Sequence, residues 1–397
     1  MPSTENSGTS SPLAAFGRSI WSFRREQVHS METNQDSSVL ESELEFFQQR
    51  VTERFQDLSS AGNDELLSIP WIQKLLDAFN SSLEDFRVIL LNNKAEVSKP
   101  PLERLVDDFF ERIVKALDIC NATCDGIEKI RSWHKLLDIV VCALDSKKRA
   151  LSEGQFRRAR KALVDLALVM LDERDTGSVF SHRNMSFGRH NTKKDHHSHH
   201  RNQSSGHSRS LSWSVSNSWS AAKQLQSIAT NLIPPRGNEI VATNGLAVPV
   251  FTMSFVLMFV LWTLVAAIPC QDRGLNVHFS VPRNFSWGTP LMSLLNRILE
   301  ESKKRENRNT NGLLREIYQV ERCARHMTDL VDSVQFPLTE EQKEEVEQRV
   351  HEVAAVCESF RNGLDPLERQ LREVFRRIMN CRTEGHDILN RGKNDLD

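Results

Sequence analysis

The sequence predicts an all-α protein, and three observations carry that expectation. Apolar residues recur at steps of three and four along most of the chain, which lays them on one face of a helix. A stretch of 23 residues, Leu246 to Ile268, carries no charge. Near the C-terminus the four- and three-residue steps alternate long enough to form a heptad seam. No block of the chain is β-rich.

Taken in order, residues 1–37 are rich in Ser, Thr, Asn and Gly and are expected to be a disordered arm, because they hold too little apolar surface to offset chain entropy. Leu40, Leu44, Phe47, Val51, Phe55 and Leu58 then define a first helix. The polar break Ser59 to Asp64 separates it from a second, marked by Ile72, Leu75, Leu76, Phe79, Leu83, Phe86 and Leu90 and closed by Asn92-Asn93. Pro100-Pro101 open a long third series from Leu102 through Val106, Phe109, Ile113 and Ile127, extending as far as Leu144. Ser152 followed by Gln155 fits a capping box for a fourth helix through Phe156, Ala159, Leu163 and Leu166. Four such helices make a bundle over residues 38–172.

Residues 173–217 are a basic Ser/His-rich stretch, expected to be a disordered linker. Ser186, Ser204 and Ser212 each stand three residues after an arginine (Arg183, Arg201, Arg209). That makes them phosphorylation candidates, whose phosphates would cancel the positive patch and release it from an anionic membrane surface. His196, His197, His199 and His200 offer imidazoles to a transition metal, but a solvated polar tract is the better reading, since a disordered site must offset its own ordering. Residues 218–245 read as a short helix and a loop holding Pro234-Pro235.

The uncharged segment 246–268, with Leu246, Phe255, Leu257, Phe259, Trp262 and Ile268, is long enough to cross a hydrocarbon core of ~30 Å. It reads either as a single membrane span or as the buried central helix of a soluble bundle, Pro249 shortening its regular part. Membrane association with a cytosolic helical region is the expectation, and a cytosolic protein the alternative. The C-terminal helical region, 290–392, carries the seam Val346, Val350, Val353, Cys357, Phe360, Leu364, Leu367, Leu371, Val374 and Ile378. This seam would pack within the chain, against helices near Leu291–Ile298 and Leu313–Val334, or take a partner's helix. Pro366 inside it predicts a kink, or a new helix capped by Asp365.

Composition narrows function. A net charge of −2 gives no global field for nucleic acid, and none is expected as a partner. Seven scattered cysteines without a C-x-x-C signal neither a disulfide framework nor a zinc module. No phosphate-binding, nucleophile-elbow or metalloprotease motif occurs, so a non-enzymatic protein without cofactor is expected. The competing class is a single-pass receptor or cargo protein, for which glycosylation of the sequon Asn284-Phe-Ser286 would place the C-terminal region in the lumen.

Five blocks resemble the plant ROH proteins, relatives of the BYPASS proteins: Ser98-Lys-Pro-Pro101, Lys115-Ala-Leu-Asp-Ile-Cys-Asn-Ala122, Trp219-Ser-Ala-Ala-Lys-Gln-Leu225, Asn231-Leu-Ile-Pro-Pro-Arg-Gly-Asn-Glu239, and Met258-Phe-Val-Leu-Trp262 leading into Pro269-Cys-Gln-Asp-Arg273. The resemblance implies a non-enzymatic regulator that binds Exo-seventy-type subunits of the exocyst, the tethering complex for secretory vesicles. It further implies a role in polarised secretion such as seed-coat mucilage deposition. It supplies no catalytic residues and no interface.

Overall fold

The computed structural model describes residues 34–146, 151–175, 220–270, 280–306 and 311–394. Ser186, Ser204, Ser212 and the histidine run lie outside them, as does nearly all of the expected arm and basic linker. Among the described residues every regular element is a helix.

The first four predicted helices occur close to their expected places as α1 (Asn34–Ser60), α2 (Ile69–Asn92), α4 (Leu102–Leu144) and α5 (Glu153–Asp175), with an unforeseen single turn, α3 (Lys94–Val97), between α2 and α4. Their ends follow local chemistry. The hydroxyl of Ser68 accepts the Trp71 N–H at 3.3 Å and caps α2. At the start of α5 the Ser152 N–H donates to Gln155 Oε1 at 2.7 Å, one arm of the capping box expected there. Further along come α6 (Ala221–Ala229), α7 (Gly237–Ala242), α8 (Ala247–Ala267), α9 (Gly288–Glu306), α10 (Arg315–Ser333) and α11 (Glu340–Asn394).

α8 is the axis on which the rest is assembled. It is long and apolar enough to cross a membrane, and every one of its residues is buried within the protein. Its 21 residues are wrapped by α1, α2, α4 and α6. Phe259 meets Phe55 of α1 edge-on at 5.7 Å, and Phe251 and Phe255 pack on Phe285 and Trp287 from the loop before α9 at 5.3 and 5.2 Å. Pro249 sits in the first turn, where its missing N–H breaks no helix bond. At the other end the Leu313 and Leu314 N–H groups donate to Ala266 O and Ala267 O, both at 2.9 Å, satisfying carbonyls that the helix leaves open.

Gly312 and Gly126 permit that closure. A Cβ on Gly312 would lie 2.4 Å from Ala267 O, and one on Gly126 of α4 would lie 2.4 Å from Pro269 O. Neither neighbour is a side chain that could swing away.

The C-terminal helices close on the same core. The buried apolar residues form one continuous cluster running from α1 to α11. α11, 55 residues and ~80 Å long at 1.5 Å per residue, lies chiefly along α4 and α2, with α10 against its N-terminal part. It continues through Pro366, so Asp365 is not the cap of a new helix. Leu364 and Leu367 are buried on either side of the proline and pin the helix there. Gln73 Nε2 also reaches the carbonyl of Gly363 at 3.4 Å.

Candidate functional site

The environment of α8 includes a polar knot built from three parts of the chain. Gln48 of α1 donates from Nε2 to Thr252 Oγ1 at 3.0 Å and accepts the Trp287 indole N–H at 2.9 Å. Beside it the hydroxyls of Thr52 and Ser286 meet at 2.6 Å. Ser286 belongs to the sequon Asn284-Phe-Ser286, whose Phe285 is buried against α8. Segments before, within and after the apolar helix therefore share hydrogen bonds across |i−j| separations of more than 200 residues. Leu246, Phe255, Leu257, Phe259, Trp262 and Ile268 are all buried in this cradle.

The seam residues Val346, Val353, Phe360, Leu364, Leu367, Leu371, Val374 and Ile378 are buried in the chain's own core, and Val350 is half-buried against it. The seam is thus occupied intramolecularly, by α2, α4 and α10 rather than by a separate second bundle. Its polar edge is held by Arg131 of α4, which pairs with Asp365 at 2.7 Å and Glu368 at 2.6 Å. Burial pulls the Arg131 pKa down, but the hydrogen bonds to Glu368 and Asp365 outweigh it and hold the guanidinium above its ordinary value.

Burial pushes the thiols of Cys120, Cys357 and Cys381 up to about 12 and that of Cys124 up to about 11. With no cation beside them these thiols stay protonated at neutral pH and are poor nucleophiles.

Two surface features remain unabsorbed by the core. On α5 the inward face carries Phe156, Ala159, Leu163 and Leu166, while Val164, Leu168 and Leu171 point outward at 50%, 58% and 47% exposure. Their spacing of four and three puts them in one stripe, preceded by the exposed Arg157 and Lys161. The second feature is a groove of about 360 Å³ between α4, the Asn231–Glu239 stretch and the first half of α8. Arg112 closes it below, donating to the carbonyls of Ile228, Thr230 and Asn231 at 3.3 to 3.4 Å. Burial lowers its pKa, which Asp108 counters in part. Asn231 takes φ 59°, the left-handed conformation that ends a helix, and turns the chain into Pro234-Pro235.

One cluster could hold a metal. His134 and Asp138 of α4 and Cys357 of α11 bring a ring nitrogen, a carboxylate oxygen and a thiol within 4.8 Å of one another. Sequence reasoning missed it. The i, i+4 spacing of His134 and Asp138 was visible, but Cys357 joins them only through helix packing.

The profile of the family described as Protein ROH1-like matches residues 4–389, almost the whole chain. The chain belongs to the ROH1-like family. It is 54% identical to Protein ROH1D of Arabidopsis thaliana over 98% of both chains. It is 34% identical to Protein ROH1A of the same plant, over 93% of this chain and 94% of that one. No solved structure matches it.

The blocks that resemble the ROH family fall in structurally distinct places. The Ser98 hydroxyl, which opens the first, donates to Ile388 O at 3.3 Å and ties the α3–α4 corner to the end of α11. Asn231 to Glu239 walls the groove, and Met258 to Trp262 lies in the middle of α8.

Proposed function

We propose that this ROH1-like chain is a non-enzymatic adaptor of secretion that binds Exo-seventy-type subunits of the exocyst. Deposition of seed-coat mucilage is the kind of polarised secretion it would serve. The observation that supports an adaptor role is the outward stripe of α5. Four of the twelve large apolar side chains exposed among the described residues sit on this one helix: Val164, Leu168, Val169 and Leu171. The opposite face of α5 is anchored in the core, so the stripe is presented rigidly, with the anchor spacing that helix-in-groove recognition uses.

In this reading α8 is the core of a cytosolic body, and approach to a membrane falls to the basic stretch 173–217, with Ser186, Ser204 and Ser212 as its phosphate switches. What supports the core role is the complete burial of α8 and the hydrogen bonds joining its flanks. The single-pass reading draws on the length and apolarity of α8 alone.

Calorimetric titration of the purified chain with an Exo-seventy-type subunit tests the proposal. The parent chain should bind, and Leu168→Glu, an exposed position, should weaken binding tenfold or more while the fold is kept. An unchanged affinity in that variant would remove α5 as the contact face. Absence of binding by the parent chain would sink the reading itself.

A further inference from the structure

The cluster between α4 and α11 has the makings of a metal clamp, a role that lies outside the adaptor reading. His134 Nε2 is buried without a hydrogen-bond partner of good geometry, and Asp138 Oδ2 lies 3.4 Å from it. The other carboxylate oxygen, Oδ1, accepts from the Arg361 guanidinium of α11 at 3.4 Å. Cys357, almost wholly buried, turns its thiol onto Asp138. The Phe360 ring walls the imidazole at 6.0 Å. A tetrahedral zinc ion takes nitrogen and oxygen donors at about 2.0–2.2 Å and sulfur at about 2.3 Å, which sets its donors about 3.3–3.6 Å apart. The separation of His134 and Asp138 matches that edge.

We propose that His134 Nε2, Asp138 Oδ2 and Cys357 Sγ form a three-donor site for a borderline divalent transition cation, Zn²⁺ foremost, clamping α4 to α11. The ordinary alternative is a helical His–Asp pair beside a cysteine that merely packs. The unpartnered nitrogen favours the site, because a buried imidazole nitrogen left without a bond is costly and a cation would supply that bond. The donor chemistry also selects: one nitrogen, one oxygen and one sulfur suit Zn²⁺ or Co²⁺ and are foreign to Mg²⁺ and Ca²⁺. Sulfur coordinates as thiolate, its proton passing to solvent. Asp138 is 37% exposed, so water can complete the fourth position.

The test uses the full chain, stripped with a chelator under reducing conditions and titrated with Co²⁺. The expected result is one equivalent bound, with a thiolate-to-cobalt charge-transfer band that Zn²⁺ then abolishes. The band should vanish in Cys357→Ser. It should persist in Cys142→Ser, and in a chain whose His196, His197, His199 and His200 are all replaced by Asn. Arg361→Ala, which frees the carboxylate, should weaken affinity by roughly 10–100-fold. No band in the parent chain, or a band that survives Cys357→Ser, would overturn the proposal. If Cys357→Ser fails to fold by circular dichroism, Asp138→Asn decides: a tenfold or greater loss of Co²⁺ affinity supports the site, and an unchanged affinity overturns it.

Discussion

Glu316 shows what one residue does in this fold and why the sequence conceals it. It stands at the start of α10, yet its carboxylate accepts the Ile69 N–H at the start of α2, with Oε1 at 3.1 Å and Oε2 at 3.3 Å. A distant side chain thus satisfies one of the open donors of α2. Burial pushes the Glu316 carboxyl above the usual carboxylate range, offset only in part by that hydrogen bond. A carboxyl whose pKa is higher folded than unfolded contributes stability at low pH and loses it as pH rises through the folded value. Glu316→Gln keeps an acceptor for Ile69 and removes the buried ionisable group. The variant should therefore melt higher than the parent at pH 7, the difference vanishing below about pH 4, where both forms are neutral. Thermal melts across that range check it, and a difference independent of pH would contradict the assignment. Local partners such as Ser152 and Gln155 were readable from their spacing. The partner of Glu316 was not, because only tertiary packing brings Ile69 beside it.

At the scale of elements, apolar periodicity marked the middle of each long described helix, because each must bury one face, while the ends of α9 and α11 and the short α3 and α7, too brief to show a period, were not foreseen. It could not name the neighbours. The seam of α11 has the period of a coiled coil, and the same pattern serves equally when the facing surface is α4 and α2 of the same chain. Pro366 predicted either a kink or a new helix, and of the two the new helix is excluded, since one helix runs through it with Leu364 and Leu367 buried on both sides. One close joint between elements is at Gly126, where α4 meets the backbone leaving α8. In an open helix Gly→Ala gains about 1 kcal/mol. Here the added methyl meets the Pro269 carbonyl, part of the backbone, so the gain is lost to overpacking. Gly126→Ala is expected to destabilise by about 1–3 kcal/mol, lowering the melting temperature by several degrees. A variant at least as stable as the parent would show that α4 and the end of α8 are not so closely joined.

For the whole molecule the decisive question is what an uncharged helix of 21 residues does. Length and apolarity fit a membrane span and a core helix alike, so sequence alone left both open. The surroundings of α8 are what support the core reading proposed above. Helices from both halves of the chain enclose it, its terminal carbonyls accept N–H groups from Leu313 and Leu314, and Thr252 within it shares Gln48 with Trp287 beyond it. Insertion would expose the apolar faces of α1, α2, α4 and α6 that now cover it, at roughly 1.5–3 kcal/mol for each large side chain returned to water. In the proposed reading the protein works through its outer faces, the α5 stripe foremost, and keeps its apolar helix inside.

Alkaline carbonate extraction of membranes from cells expressing the tagged chain tests this most directly, since carbonate strips peripheral proteins and leaves spanning ones. The account predicts release of the folded protein into the supernatant. Retention in the pellet, with aggregation excluded by resolubilisation in mild detergent, would place α8 in the bilayer and contradict the single-core fold.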